Sequence, residues 1–242
     1  SDTVNISINP APAINVLPAN PETCAGDQLN LSAFGAVNYL WYEVNNPSTI
    51  LSNTSTLVVN PTGPVSYVVQ GSNTTGCKSY DTINVAISPA PVISSAINPS
   101  LICAGDSATI ALSGASSYQW ELSSNPGVVV WTDSVLTQPF NTTTTFIIVA
   151  QSDAGCIDTS TITVNVNPLP QTFAGNDINI CAGDTIQLGG AAQAGVTYNW
   201  SPANGLSSTT AADPTVIIPD TNQTVTFTYI LTAQLNGCTL AD

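Results

Sequence analysis

Few side chains in this sequence can do chemistry, and those few are regularly spaced. Six cysteines stand at Cys24, Cys77, Cys103, Cys156, Cys181 and Cys238. A cysteine can act as a nucleophile, a metal ligand or half of a disulfide. The chain has no His, and Lys78 is its one basic residue against 15 acids, a formal charge of −14. A Cys-His or Ser-His-Asp nucleophile therefore cannot be assembled, nor a His-ligated zinc site. Without Arg there is no bidentate clamp for phosphate or carboxylate. Nucleic acid is excluded as a partner for want of a basic stripe. Paired-carboxylate glycosidase chemistry needs two acids facing one bond; Glu22, Glu43 and Glu121 fall at unrelated positions and do not recur as a set. No catalytic residue is assigned and no enzyme is expected. Disulfide formation is the chemistry left to the cysteines, and six of them in a His-free chain fit an oxidising, extracellular setting.

The positioning elements emerge from the spacing. Cys-Ala-Gly-Asp occurs at 24–27, 103–106 and 181–184, and Gly-Cys ends at Cys77, Cys156 and Cys238. Trp41, Trp120 and Trp200 follow the first cysteines by 17, 17 and 19 residues, and Tyr67, Phe146 and Tyr229 precede the second cysteines. Landmarks in fixed order mean three copies of one unit of roughly 80 residues. We place the copies at 11–89, 90–168 and 169–242, with 1–10 as a separate segment.

Within a copy the apolar period is two. Leu29/Leu31/Ala33, Ala108/Ile110/Leu112 and Ile83/Val85/Ile87 alternate with mostly polar residues, as half-buried strands do. Asn-Pro, Gly-Ala, Pro-Thr-Gly and Asn-Gly punctuate the strands. No stretch has a helical period with caps, and no run is long and apolar enough for a membrane helix. Hydrophobic residues at 43% suffice for packed cores, while charged residues at 7% leave Ser, Thr, Asn and Gln to cover the surface. The expected fold is all-β: three tandem antiparallel β-sandwiches, with the tryptophans and second aromatics as core aromatics. Tyr67 and Tyr229 are also candidates for a tyrosine corner.

Cys-Ala-Gly-Asp, an alternating strand, Tyr-x-Trp, Thr-Thr-Thr-Phe-Ile-Ile-Val, Gly-Cys and a strand ending in Pro-x-Pro resemble the immunoglobulin-like repeats of large Bacteroidota surface proteins. That resemblance implies a head-to-tail rod of immunoglobulin-like sandwiches at the cell surface, exported by type IX secretion, in an adhesin or gliding filament. It also makes Thr3, Thr82, Ser107, Ser134 and Thr185, each following an Asp, similar to the O-glycosylation acceptors of such proteins.

Two cysteine pairings stand open. Pairing within a repeat (Cys24–Cys77, Cys103–Cys156, Cys181–Cys238) would close ~54-residue loops, each stabilising its sandwich by about 4 kcal/mol. In immunoglobulin strand order, however, those turns lie at opposite ends of a sandwich, beyond the ~6 Å a disulfide spans between Cα atoms. Pairing across repeats (Cys24–Cys156 and Cys103–Cys238) puts facing turns together and leaves Cys77 and Cys181 for preceding and following units. The topology weighs toward the second.

The ends of the sequence are out of phase with the repeat. Asp2–Pro10 matches the last-strand sequence at 81–89, so 1–10 is an orphan last-type strand; repeat 3 stops where its own last strand should begin. One period of a longer repeat chain would read this way. So would donor-strand exchange, with Val4, Ile6 and Ile8 of one molecule filling the groove of the next. Asp27, Asp106 and Asp184, with Asp153, Asp158 and Asp177, offer oxygens for calcium, but lack a dense ligand loop; turn capping is the expected role, and no cofactor is assigned. The expected function is a structural segment of an extracellular filament or adhesin stalk whose partner is itself, head to tail. The alternative is a set of carbohydrate-binding accessory repeats, with Tyr42 and Trp131 stacking on a glycan or surface ligand.

Overall fold

The computed structural model describes residues 2–219 and 223–242, and every regular element among them is a β-strand. The first repeat contributes β1 (Asn15–Leu17), β2 (Glu22–Cys24), β3 (Leu29–Phe34), β4 (Asn38–Glu43), β5 (Thr56–Val59), β6 (Val65–Ser72) and β7 (Lys78–Ser88). The second contributes β8 (Ser94–Asn98), β9 (Ile102–Cys103), β10 (Ser107–Ser113), β11 (Ser117–Leu122), β12 (Asn125–Trp131), β13 (Val135–Pro139), β14 (Thr144–Gln151), β15 (Ile157–Val164) and β16 (Val166–Asn167). The third contributes β17 (Thr185–Gln187), β18 (Thr197–Ser201), β19 (Thr215–Ile217), β20 (Ile230–Leu235) and β21 (Cys238–Ala241). The chain forms two compact units. One takes the chain up to Ile93 with Gly114–Tyr118 and Val149–Thr159; the other takes Ser94–Ser113, Gln119–Ile148 and Ser160–Asp242.

The first repeat shows the architecture in full. One sheet runs β1-β3-β5, the other β2-β7-β6-β4. All pairs are antiparallel except β2 with β7, which is parallel (Glu22↔Ala86, Thr23↔Ile87, Cys24↔Ser88). In β3, Leu29, Leu31 and Ala33 point inward while Asn30 and Phe34 face out, the alternation a one-sided strand requires. Val69 and Tyr67 of β6, Ile83 and Val85 of β7 and Trp41 of β4 complete the core. These two sheets, with a parallel first-to-last strand pair, make an immunoglobulin-like sandwich. The second repeat keeps the plan as sheets β13-β10-β8 and β12-β11-β14-β15, with β9 parallel to β16. The third has sheets β17-β19 and β18-β20-β21.

One packing device recurs. Each core tryptophan is buried and donates its indole N–H to a backbone carbonyl, Trp41 to Thr54 O (3.1 Å), Trp120 to Asp133 O (2.8 Å) and Trp200 to Ala211 O (2.9 Å). The bond satisfies the one polar atom of a large apolar side chain. Trp120 meets Phe146 edge-to-face at 5.6 Å. Two residues before each tryptophan, a tyrosine hydroxyl closes the preceding turn: Tyr39 accepts from Ala36 N (3.0 Å), Tyr118 from Ala115 N (2.9 Å), Tyr198 from Gln193 N (2.8 Å). These tyrosines are not the tyrosine-corner candidates Tyr67 and Tyr229, of which Tyr229 bonds a different turn, at Asn204.

Two expectations need correction. Tyr229 is partly exposed and lies ahead of β20, its hydroxyl donating to Asn204 O (2.7 Å), whereas Tyr67 and Phe146 are buried within strands. It is not a core aromatic: it stands outside any strand and keeps part of its ring in solvent. Nor is the last strand of the third repeat wholly missing. Asn236 and Gly237 take positive φ (50° and 87°) in a two-residue turn, and Leu235↔Cys238 through Thr232↔Ala241 pair behind it. An Asn-Gly hairpin starts that strand locally, needing no further chain to do so.

Candidate functional site

The cysteines are placed by the two ends of the last strand of each repeat. The parallel pairing of β2 with β7 sets Cys24 beside Ser88, the final residue of β7. Cys77 lies just before Lys78, the first residue of β7. A strand of 11 residues separates the two, about 36 Å at ~3.3 Å per residue, so they cannot bond to each other. Cys24 instead bonds Cys156, with Cα atoms 5.5 Å apart across 132 residues of sequence. The second repeat reproduces the arrangement. Parallel pairing of β9 with β16 sets Cys103 beside Asn167, and Cys103 bonds Cys238 at a Cα separation of 5.6 Å across 135 residues. Each bond thus joins the Cys-Ala-Gly-Asp cysteine of one repeat to the Gly-Cys cysteine of the next.

A backbone contact accompanies each bond. Cys156 Sγ lies 3.5 Å from Ser88 O, and Cys238 Sγ lies 3.9 Å from Asn167 O. The same contact exists a third time without a bond: Cys77 Sγ lies 3.5 Å from Asn9 O, and Asn73 donates to Pro10 O at 2.9 Å. Asn9, Ser88 and Asn167 are successive equivalents at intervals of 79 residues. Cys77, half-buried, and Cys181, exposed, carry free thiols in this chain.

The other candidate residues are scattered. Asp106 and Asp184 each accept a bond from the backbone N–H of the preceding motif cysteine, Cys103 (3.1 Å) and Cys181 (3.2 Å), and so cap their turns. Among the described residues no three His, Cys, Asp or Glu side chains gather as a metal group. Glu22 accepts from the Ser88 hydroxyl, Glu121 accepts from Gly127 N (2.7 Å), and Glu43 borders a shallow hollow with Pro61 and Tyr67; the three do not converge. Burial, helped by the Glu43 charge, pushes the Tyr67 phenol above its usual range, and burial alone raises Tyr229. Thr3, Thr82, Ser107, Ser134 and Thr185 are all exposed. Val4, Ile6 and Ile8 are exposed and lie outside any strand. Trp131 has its ring at the surface beside a small cleft shared with Leu122, Leu136 and Phe146, its indole N–H held by Val135 O (3.0 Å). Tyr42 is partly exposed on β4, in the other compact unit.

Residues 10–91 match a protein family described as Ig-like domain, CHU_C associated. Similar solved structures include three titin domains, I67–I69, in an E-to-A variant (14% identity, 96% of each chain covered, TM-score 0.46). They also include the three N-terminal domains of the bacteriophage RB49 highly immunogenic outer capsid protein (15% identity, 95% and 94% covered, TM-score 0.37). A comparison with curated proteins finds no significant match. The chain is an array of immunoglobulin-like β-sandwiches, and the match to the CHU_C-associated description is confined to the first.

Proposed function

We propose that this chain is a structural segment of an extracellular filament or adhesin stalk, built from repeats at 11–89, 90–168 and 169–242, assembled head to tail and performing no chemistry. The observation that carries this reading is the pairing of Cys24 with Cys156 and Cys103 with Cys238. A disulfide inside a sandwich stabilises that sandwich, whereas one between successive repeats fixes their connection, which is what a strand under tension requires. The exposed Asp-linked hydroxyls support O-glycosylation at Thr3, Thr82, Ser107, Ser134 and Thr185; sugars would supply hydration that a surface so poor in charge lacks. Labelling intact cells with an antibody to this chain, followed by electron microscopy, tests the proposal. Surface fibres that a protease shaves off are expected; an intracellular, fully reduced protein would overturn it. Intact mass above that of the bare polypeptide is expected from the native material.

A second reading is favoured by one observation. The exposed ring of Trp131 beside its cleft is a platform on which a sugar face could stack, as in an accessory carbohydrate-binding region. Binding on a glycan array that disappears with Trp131→Ala would move the assignment to that class.

A further inference from the structure

The first two repeats build one end of the sandwich from equivalent positions and fill it differently. The inward row of β11 runs Tyr118, Trp120, Leu122; in β4, 79 residues earlier, it runs Tyr39, Trp41, Glu43. Leu122 and Phe146 of the second repeat thus correspond to Glu43 and Tyr67 of the first, and buried Phe140 to Pro61. Glu43 stands directly opposite Tyr67 in the pairing of β4 with β6, so both side chains lie on the core-facing side of that sheet. Tyr67 is 3% exposed, yet its hydroxyl has no hydrogen-bond partner among the described residues, and neither has the Glu43 carboxylate. Burial and the Glu43 charge keep the phenol protonated. An unpaired acid and phenol in a core-facing row cost stability that Leu122 and Phe146 do not. Beside this pair, Leu51, Pro61, Pro64 and Val65 wall a hollow of about 460 Å³, against about 230 Å³ for the equivalent cleft lined by Leu122 and Phe146.

We propose that this hollow binds a primary alkylammonium group, carried by a lysine side chain of a partner or by a free polyamine, with Glu43 and Tyr67 taking the charged head and the apolar walls taking the stem. An ammonium has three N–H donors and no acceptor. The Glu43 carboxylate and the phenolic oxygen of Tyr67 both accept, and a neutral phenol adds no second negative charge. The methylenes of a lysine stem lie along apolar surface while the head reaches the polar pair. A carboxylate or phosphate ligand is repelled by Glu43 and finds no basic residue in the hollow. The formal charge of −14 draws cations toward the chain. Its single Lys78 belongs to β7 and contacts Gln70 at 3.5 Å, so the ammonium comes from another molecule. The hollow lies within the first repeat, and the proposal stands or falls separately from the filament reading.

The test titrates the purified chain with Nα-acetyl-lysine N-methylamide, read by calorimetry and by backbone amide shifts in NMR. The norleucine analogue, with the same stem and no ammonium, runs beside it. Saturable binding with shifts centred on residues 43, 51 and 59–67 is expected for the lysine derivative, and binding weaker by about tenfold or more for norleucine. Pentane-1,5-diamine is the free-amine arm: tighter binding than the lysine derivative assigns the source to a free amine, weaker binding to a partner's lysine, and either supports the site. Glu43→Gln should weaken binding about tenfold. Glu43→Leu, which matches the second repeat at Leu122, should abolish binding while the chain melts no lower. Absence of saturable binding by either amine, equal binding of the norleucine analogue, shifts spread over the acidic surface, or undiminished binding by Glu43→Leu would overturn the proposal.

Discussion

Pulling the molecule from its two ends gives a quantitative test of the cysteine pairing. The two bonds join Cys24 to Cys156 and Cys103 to Cys238, so three stretches of chain connect the same two cross-linked points: 25–102, 104–155 and 157–237. Once the sandwiches unfold, the shortest stretch, 104–155, takes the tension and the other two hang slack. Fully extended at ~3.4 Å per residue, the oxidised chain then reaches about 280 Å and the reduced chain about 820 Å. Single-molecule force spectroscopy with and without reductant reads that difference of about 540 Å. Removing one bond with Cys103→Ser and Cys238→Ser sharpens the test. Cys24–Cys156 alone allows about 380 Å, whereas pairing within repeats would leave only Cys24–Cys77 and allow about 650 Å. An oxidised extension beyond ~280 Å, or ~650 Å from the double variant, refutes the geometry.

Three further outcomes are expected. Trp120→Ala removes a fully buried ring, its edge-to-face contact with Phe146 and its bond to Asp133 O; it should destabilise by about 3–5 kcal/mol in chemical denaturation followed by fluorescence. Gly114→Ala places a side chain at φ 101°, with its Cβ colliding with the Val92 carbonyl; loss of at least ~1 kcal/mol and faster proteolysis near residue 114 are expected, and Gly35, against Ala13, behaves alike. Tyr67 stays protonated above its usual range, through burial first and Glu43 second. Its contribution is intact below about pH 10, the value in the unfolded chain, and is lost as pH rises through the folded value. Tyr67→Phe should flatten the alkaline limb of a stability-against-pH curve.

How far the sequence speaks for itself depends on element length. The six residues of β3 carry three inward positions, enough for a period of two to be visible at Leu29, Leu31 and Ala33. β9 has two residues and β2 three, too few for any period; each is defined by its parallel pairing with a last strand far along the sequence. The cysteine geometry depends on those short parallel strands, so it follows from strand order and not from alternation. The hydroxyl bonds of Tyr39 and Tyr118 were signalled by the recurring Tyr-x-Trp, but the partner, a backbone amide three residues earlier, leaves no mark on composition. The third repeat misleads most: Tyr229 keeps the repeat's spacing but is partly exposed ahead of β20, whereas Tyr67 and Phe146 are buried within strands.

Placing the cysteines at strand ends also explains what occupies the middle of each sandwich. Ala33 and Leu112, the inward residues at mid-strand, are buried against the tryptophan layer and leave no place for a bridge between the sheets. Each sandwich then holds through apolar packing, of order 25 cal/mol per Å² buried, and its own hydrogen bonds, with no disulfide of its own. The bonds Cys24–Cys156 and Cys103–Cys238 confine full extension to residues 104–155 of the second repeat and cap the length its opening releases. A repeat that yields therefore absorbs work while residues 25–102 and 157–237 remain off the load path, and the sandwich can refold between two fixed points. A disulfide across each sandwich would leave the connections between repeats to carry extension unaided. The observed pairing couples reversible unfolding to a fixed maximum length, the combination that suits a chain held at both ends.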